Sequence, residues 1–228
     1  MAKAKTRETD ARGFLLAASL ITVILNFIPG ANLVTYPFRL FVTFIHEAGH
    51  AVAALLTFGM VEQIFVHQDA SGETYTRGGL SLVISSAGYL ASTFYGASML
   101  LLNRDSRMGK TALALNALGI LGLTILYVRG AFGFMAGMVM FGCLMVAFFT
   151  LSARGAHFLL SFLAVQCCLN AVNDLRTLFF VSAVSNMPND ASTLQRVTGI
   201  PAVFWAMVWL GISVTVLALA LKSYDRRA

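Results

Sequence analysis

Seven apolar runs, each close to the thickness of a bilayer's hydrocarbon core, constrain this chain more than any other feature. They lie at about 13–29, 36–58, 79–102, 111–128, 131–152, 157–182 and 201–221. A membrane helix needs about 20 mostly apolar residues, and it must satisfy its backbone polar groups within its own length. The chain has 228 residues, 58% of them hydrophobic and 11% charged, whereas about a quarter of a soluble domain is charged. We therefore expect an all-α polytopic membrane protein of six to seven transmembrane helices, folded as one domain over 1–228. The net charge of +6 comes largely from the chain ends and from Arg104, Arg107 and Lys110. That distribution suits the headgroups of a lipid bilayer and argues against a nucleic-acid partner. The basic tail of about 1–12 precedes the first run, and no small-x-small cleavage site follows it, so the run is kept as a helix. Cys143, Cys167 and Cys168 all sit in apolar runs and read as small core hydrophobes.

Two segments break the pattern. "MVEQIFVHQDASGETYTRGG" (60–79) is too polar to span, and two β-rich arms flank Asp69–Gly72. It predicts a short β-hairpin at about 60–77. "SNMPNDASTLQRVTGIP" (185–201) offers Asn189 or Asp190 as an N-cap, Gly199 as a helix stop and Pro201 as the first turn of the last span. In the third run Gly88, Ser92 and Gly96 form a small-residue stripe for close helix packing, with no catalytic role assigned.

The second run contains "FIHEAGHAVAALL". His46 and His50 are four apart and share one helical face, and Glu47 lies on its flank. In the H-E-x-x-H arrangement two imidazoles bind zinc and the glutamate acts as the base that activates water. With four histidines and ten acidic residues in the chain, an accidental match is rare. Ionisable groups at membrane depth are costly and mark function.

A catalytic zinc takes three protein ligands and keeps one open position. Eight of the ten acidic residues fall in tails, loops or the hairpin, Asp190 among them. Apart from Glu47, only Asp174, in "LNAVNDLRTLF", lies within a span, and elimination names it as the third ligand.

These elements carry a family resemblance. "FIHEAGHAVAALLTFG", a polar hairpin, "SSAGYLASTFYGASML", "LNAVNDLRTLF" and the closing "NDASTLQRVTGIPAVFWAMVWL" together resemble the site-2 protease-type intramembrane zinc metallopeptidases. The likeness is greatest to their short bacterial branch without a PDZ domain. It implies one catalytic Zn2+ held by His46, His50 and Asp174, with Glu47 as general base. It also implies that Asn170 steadies the substrate backbone, and that the chain is a multi-pass protein of the bacterial cytoplasmic membrane. Asp174 follows Asn173 and precedes Leu175, which departs from the Asn…Leu-Asp-Gly setting of better-known members.

The expected chemistry is peptide hydrolysis in or near transmembrane segments of membrane-anchored proteins. A helical substrate hides its carbonyls and must be locally extended. Ile64 and Val66, on the first arm of the hairpin, are the positions expected to present it by strand pairing. The alternatives are a catalytically silent relative that binds membrane proteins, and a membrane carrier using the histidines for haem or another metal. An intact Glu47 beside a single partner acid favours zinc hydrolysis over both.

Overall fold

The computed structural model describes Ala17, Leu20, Ile21 and Ile24, which are helical, and residues 32–102, 108–184 and 189–226, with some side chains late in the chain excepted. The rest of the expected first span, 13–29, lies outside the described residues. The elements, in chain order, are α1 (Asn32–Leu56), β1 (Met60–Val66), β2 (Gly72–Arg77), α2 (Ser81–Leu102), α3 (Met108–Leu126), β3 (Val128–Arg129), α4 (Ala131–Thr150), α5 (Ala153–Val184), α6 (Asp190–Thr198) and α7 (Ala202–Arg226).

Six of the seven expected spans thus have a helix at their place. Four of these helices, α1, α3, α4 and α7, are long and apolar enough to cross a membrane. The apolarity of α2 is diluted by Ser85, Ser86, Ser92 and Thr93, which face other helices instead of lipid.

The centre of the bundle is a close pair. α1 and α2 run antiparallel: Phe41 meets Tyr95 at one level, and Gly49 meets Ala87 and Ala91 at another. A Cβ at Gly49 would lie 2.5 Å from the Ala91 Cβ, so the two backbones touch as only small residues allow. α5 continues the layer beyond α2, with Gly96 against Ala164 and Cys168 and with Phe38 of α1 edge-on to Phe162. α1 and α5 are both antiparallel to α2, so they run in the same direction. α7 packs against both α2 and α5: Trp209 Nε1 donates to Ser86 Oγ (3.1 Å), Thr93 Oγ1 donates to Ser213 Oγ (2.8 Å), and Ala202, Ala206 and Trp209 share a buried cluster with Leu175 and Leu178.

The hairpin forms where it was expected and is laid along α1. Asp69 Oδ1 accepts from Ser71 N (2.9 Å) and Oγ (2.7 Å), and Ala70 takes a left-handed conformation (φ 67°). The successive turn carbonyls of Gln68, Asp69 and Ala70 then accept from Tyr36 Oη (2.6 Å), Arg39 Nη2 (3.1 Å) and Thr43 Oγ1 (2.6 Å). These donors form one stripe of α1, which Glu47 and His50 continue.

One strand was not foreseen. Arg129 and Gly130 read as a tight helical link, but Val128–Arg129 pairs in parallel with Ile64–Phe65, so the sheet order is β2-β1-β3. Ile64 N donates to Tyr127 O (2.8 Å). β1 is therefore the central strand, and among the described residues no strand pairs with the outer edge of β2.

Candidate metal centre and its cavity

α1 positions three of the expected site residues. Glu47 and His50 are buried at 2% and 6% exposure, and His46 is half-buried beside them. The two Nε2 atoms face each other at 3.0 Å. His50 Nδ1 lies 2.7 Å from the carbonyl oxygen of Ile84. A carbonyl can only accept, so Nδ1 carries a proton, which leaves Nε2 as the nitrogen available to a metal. His46 is held differently. Its ring meets Tyr89 edge-on at 4.7 Å, and Tyr89 in turn stacks on buried Trp209 at 5.5 Å.

The third group comes from α6. Asn189 takes the N-cap, accepting from Ser192 N in a reciprocal capping box. Asp190, the next residue, is thereby released from capping. Its Oδ2 lies 3.4 Å from His46 Nε2 and 3.4 Å from His50 Nε2. Burial pushes the Asp190 carboxyl upward, but the imidazoles of His50 and His46 outweigh it and hold the group well below the usual carboxylate range. The sequence reading offered Asp190 only as a cap and placed it in a loop, because it lies outside every span.

Nitrogen and carboxylate donors bound tetrahedrally to zinc at about 2.0–2.1 Å stand about 3.3–3.4 Å apart. The observed edges of 3.0, 3.4 and 3.4 Å fit that triangle. The ground beside it is kept clear by Gly88, whose added Cβ would lie 2.3 Å from His46 Nε2 and 2.5 Å from His50 Nε2. Gly88 was expected to serve packing alone, yet its missing side chain also leaves room for the metal-binding face of the two imidazoles.

Glu47 points toward the hairpin. Its Oε2 accepts from Thr74 Oγ1 at 2.6 Å, and Gly72 backs the other oxygen. The whole site opens on a cavity of about 1200 Å3, with β2 forming one wall through Glu73, Thr74, Tyr75 and Thr76.

The remaining expected residues fall as follows. Asp174 is helical in α5, but its side chain and that of Asn170 lie outside the described residues. Ile64 and Val66 are buried at 0% and 4% exposure, and β1 is flanked by β2 and β3 at Ile64. Both side chains are thus packed into the sheet, and at Ile64 both edges of β1 are already paired. The signal that could have found Asp190 is the doublet Asn189–Asp190, two capping residues where one suffices.

No curated protein and no solved structure matches the chain. A family model does: the Peptidase M50B-like model matches residues 15–220. The chain therefore belongs to the Peptidase M50B-like family of membrane metallopeptidases, in the site-2 protease family.

Proposed function

We propose that the protein is an intramembrane zinc endopeptidase of the H-E-x-x-H type, acting on membrane-anchored proteins in a bacterial cytoplasmic membrane. The observation that carries this reading is the convergence of two imidazole nitrogens and the Asp190 carboxylate beside a buried glutamate, on the wall of a cavity bordered by a free strand edge. A zinc ion bound there lowers the pKa of water toward ~7 and polarises the scissile carbonyl. His46, His50 and Asp190 are the residues that would hold it. Glu47 takes a proton from water and returns it to the leaving amine.

Asp174 remains a candidate ligand at the same depth. Phe38 and Phe162 are in contact, and Asp174 follows Phe162 by the same twelve residues that separate His50 from Phe38, on helices of the same direction. Asn170, one turn before Asp174, keeps its proposed part in steadying the substrate backbone. β2 offers the edge on which an unwound substrate segment pairs, placing its backbone along the cavity toward Glu47. Membrane-anchored regulators released after an earlier cut elsewhere are the proposed substrates.

The test is cleavage of a reporter transmembrane peptide by the purified protein, with metal analysis of the same sample. Wild type should contain about one zinc per chain and cleave. Glu47→Gln should keep the zinc and lose cleavage. Zinc without cleavage in the wild type would return the chain to a silent relative, and iron or haem in place of zinc to a carrier.

A further inference from the structure

We propose that Thr74, on the free-edge strand, is the positioning residue for Glu47. The proposal rests on the proteolytic reading above, and it assigns to the hairpin a part in the chemistry as well as in substrate pairing. Glu47 is buried, and a buried carboxylate needs donors. Among the described residues the one side-chain donor to it is Thr74, whose hydroxyl reaches Oε2 at 2.6 Å, the short length of a charge-assisted bond.

Gly72, two residues earlier, presents the same strand face to the other oxygen. A Cβ there would lie 2.4 Å from Oε1 and 2.8 Å from the carboxyl carbon, so the group is confined from that side too. One strand therefore fixes both oxygens. Thr74 is itself held in place. It pairs with fully buried Ile64 across the sheet, and its branched side chain has few rotamers to choose from.

A general base must stand within hydrogen-bond reach of the proton it takes, and misplacement by about 1 Å costs on the order of a hundredfold in rate. Thr74 sets that placement from the strand whose backbone edge borders the substrate cavity. Its side chain turns toward α1, which leaves the backbone edge for the substrate. Loss of the hydroxyl should therefore lower kcat and leave KM nearly unchanged.

The experiment compares wild type, Thr74→Val, Thr74→Ser and Glu47→Gln in reporter-peptide kinetics, with zinc content and infrared difference spectra on the same preparations. Thr74→Val keeps the strand shape and removes the donor; we expect kcat to fall roughly tenfold to a hundredfold, the size of a lost hydrogen bond to a charged group. KM and zinc should hold, and Thr74→Ser should restore most of the rate. The Glu47 carboxylate band, identified as the one missing in Glu47→Gln, should shift in Thr74→Val and stay in place in Thr74→Ser. A Thr74→Val protein with wild-type kcat and an unshifted band would overturn the proposal. If wild type itself does not cleave, the proteolytic reading fails, and the infrared band still decides whether Thr74 holds Glu47.

Discussion

Gly88 provides the sharpest test of the metal centre, because the perturbation is a single methyl group placed at a known point. In Gly88→Ala the new Cβ would lie 2.3 Å from His46 Nε2, 2.5 Å from His46 Cε1 and 2.5 Å from His50 Nε2. Carbon–nitrogen contacts settle near 3.5 Å, so each imidazole must retreat by about 1 Å. Retreat of His50 strains its 2.7 Å bond to Ile84, and retreat of His46 disturbs its contact with Tyr89, which stacks on Trp209. Overpacking of this kind costs about 1–3 kcal/mol. If the strain falls on the metal-binding arrangement, zinc affinity drops by roughly 5- to 150-fold, at 1.4 kcal/mol per factor of ten. The assay is zinc competition against a chelator of graded affinity, with thermal unfolding of the metal-free protein as a companion measurement. Gly119→Ala is the control, since its Cβ would meet nothing within 4 Å, and it should bind zinc as wild type does. Wild-type zinc affinity in Gly88→Ala would refute the argument that both Nε2 atoms face this glycine in the metal-binding state.

Two further outcomes are expected. Asp190→Ala should lower zinc occupancy along with cleavage, whereas Glu47→Gln should lower cleavage alone; comparison with Asp174→Ala by metal analysis identifies which acid completes the site, and full occupancy in Asp190→Ala would remove Asp190 from it. Ile64→Pro deletes the N–H that donates to Tyr127 O in the central strand, so it should lower the unfolding temperature and zinc content as well as cleavage; a stable, zinc-loaded Ile64→Pro protein would restore β1 as the presenting strand.

Four of the expected spans were legible because lipid imposes one rule, about 20 apolar residues per crossing, and α1, α3, α4 and α7 obey it. The H-E-x-x-H face was legible for a similar reason: residues four apart on a helix share a side whatever the rest of the fold does. The hairpin announced itself through its turn chemistry at Asp69–Gly72. Asp190, the acid the structure places beside the histidines, was hidden by the logic used to seek a third ligand. Searching for acids inside spans excludes Asp190, which stands on a nine-residue helix between spans and reaches the histidines only through tertiary packing. β3 is two residues long, and no periodicity can reveal a strand of that length. Missing β3 reversed the reading of the sheet, because a third strand turns β1 from an edge into a centre. Thr74 carried no signal either, since its role depends on the register that sets β2 beside α1.

The three hydrogen bonds that seat the hairpin turn on Tyr36, Arg39 and Thr43 also say which parts of the molecule are free to part. Glu47 and both histidines lie on α1, the turn and the β2 strand are fastened to that same helix, and together they form one jaw. Prising the strand from α1 would break three hydrogen bonds to turn carbonyls, each worth about 0.5–1.5 kcal/mol net. α6 is attached differently, held by its own capping box and by the packing of Ala191 and Leu194 against Leu175, Leu178 and Trp209. It forms the opposing jaw and carries a single acid, Asp190, to the centre. On the proteolytic reading proposed above, opening to admit a polypeptide is expected on the α6 side, and such a movement would draw Asp190 away from the histidines.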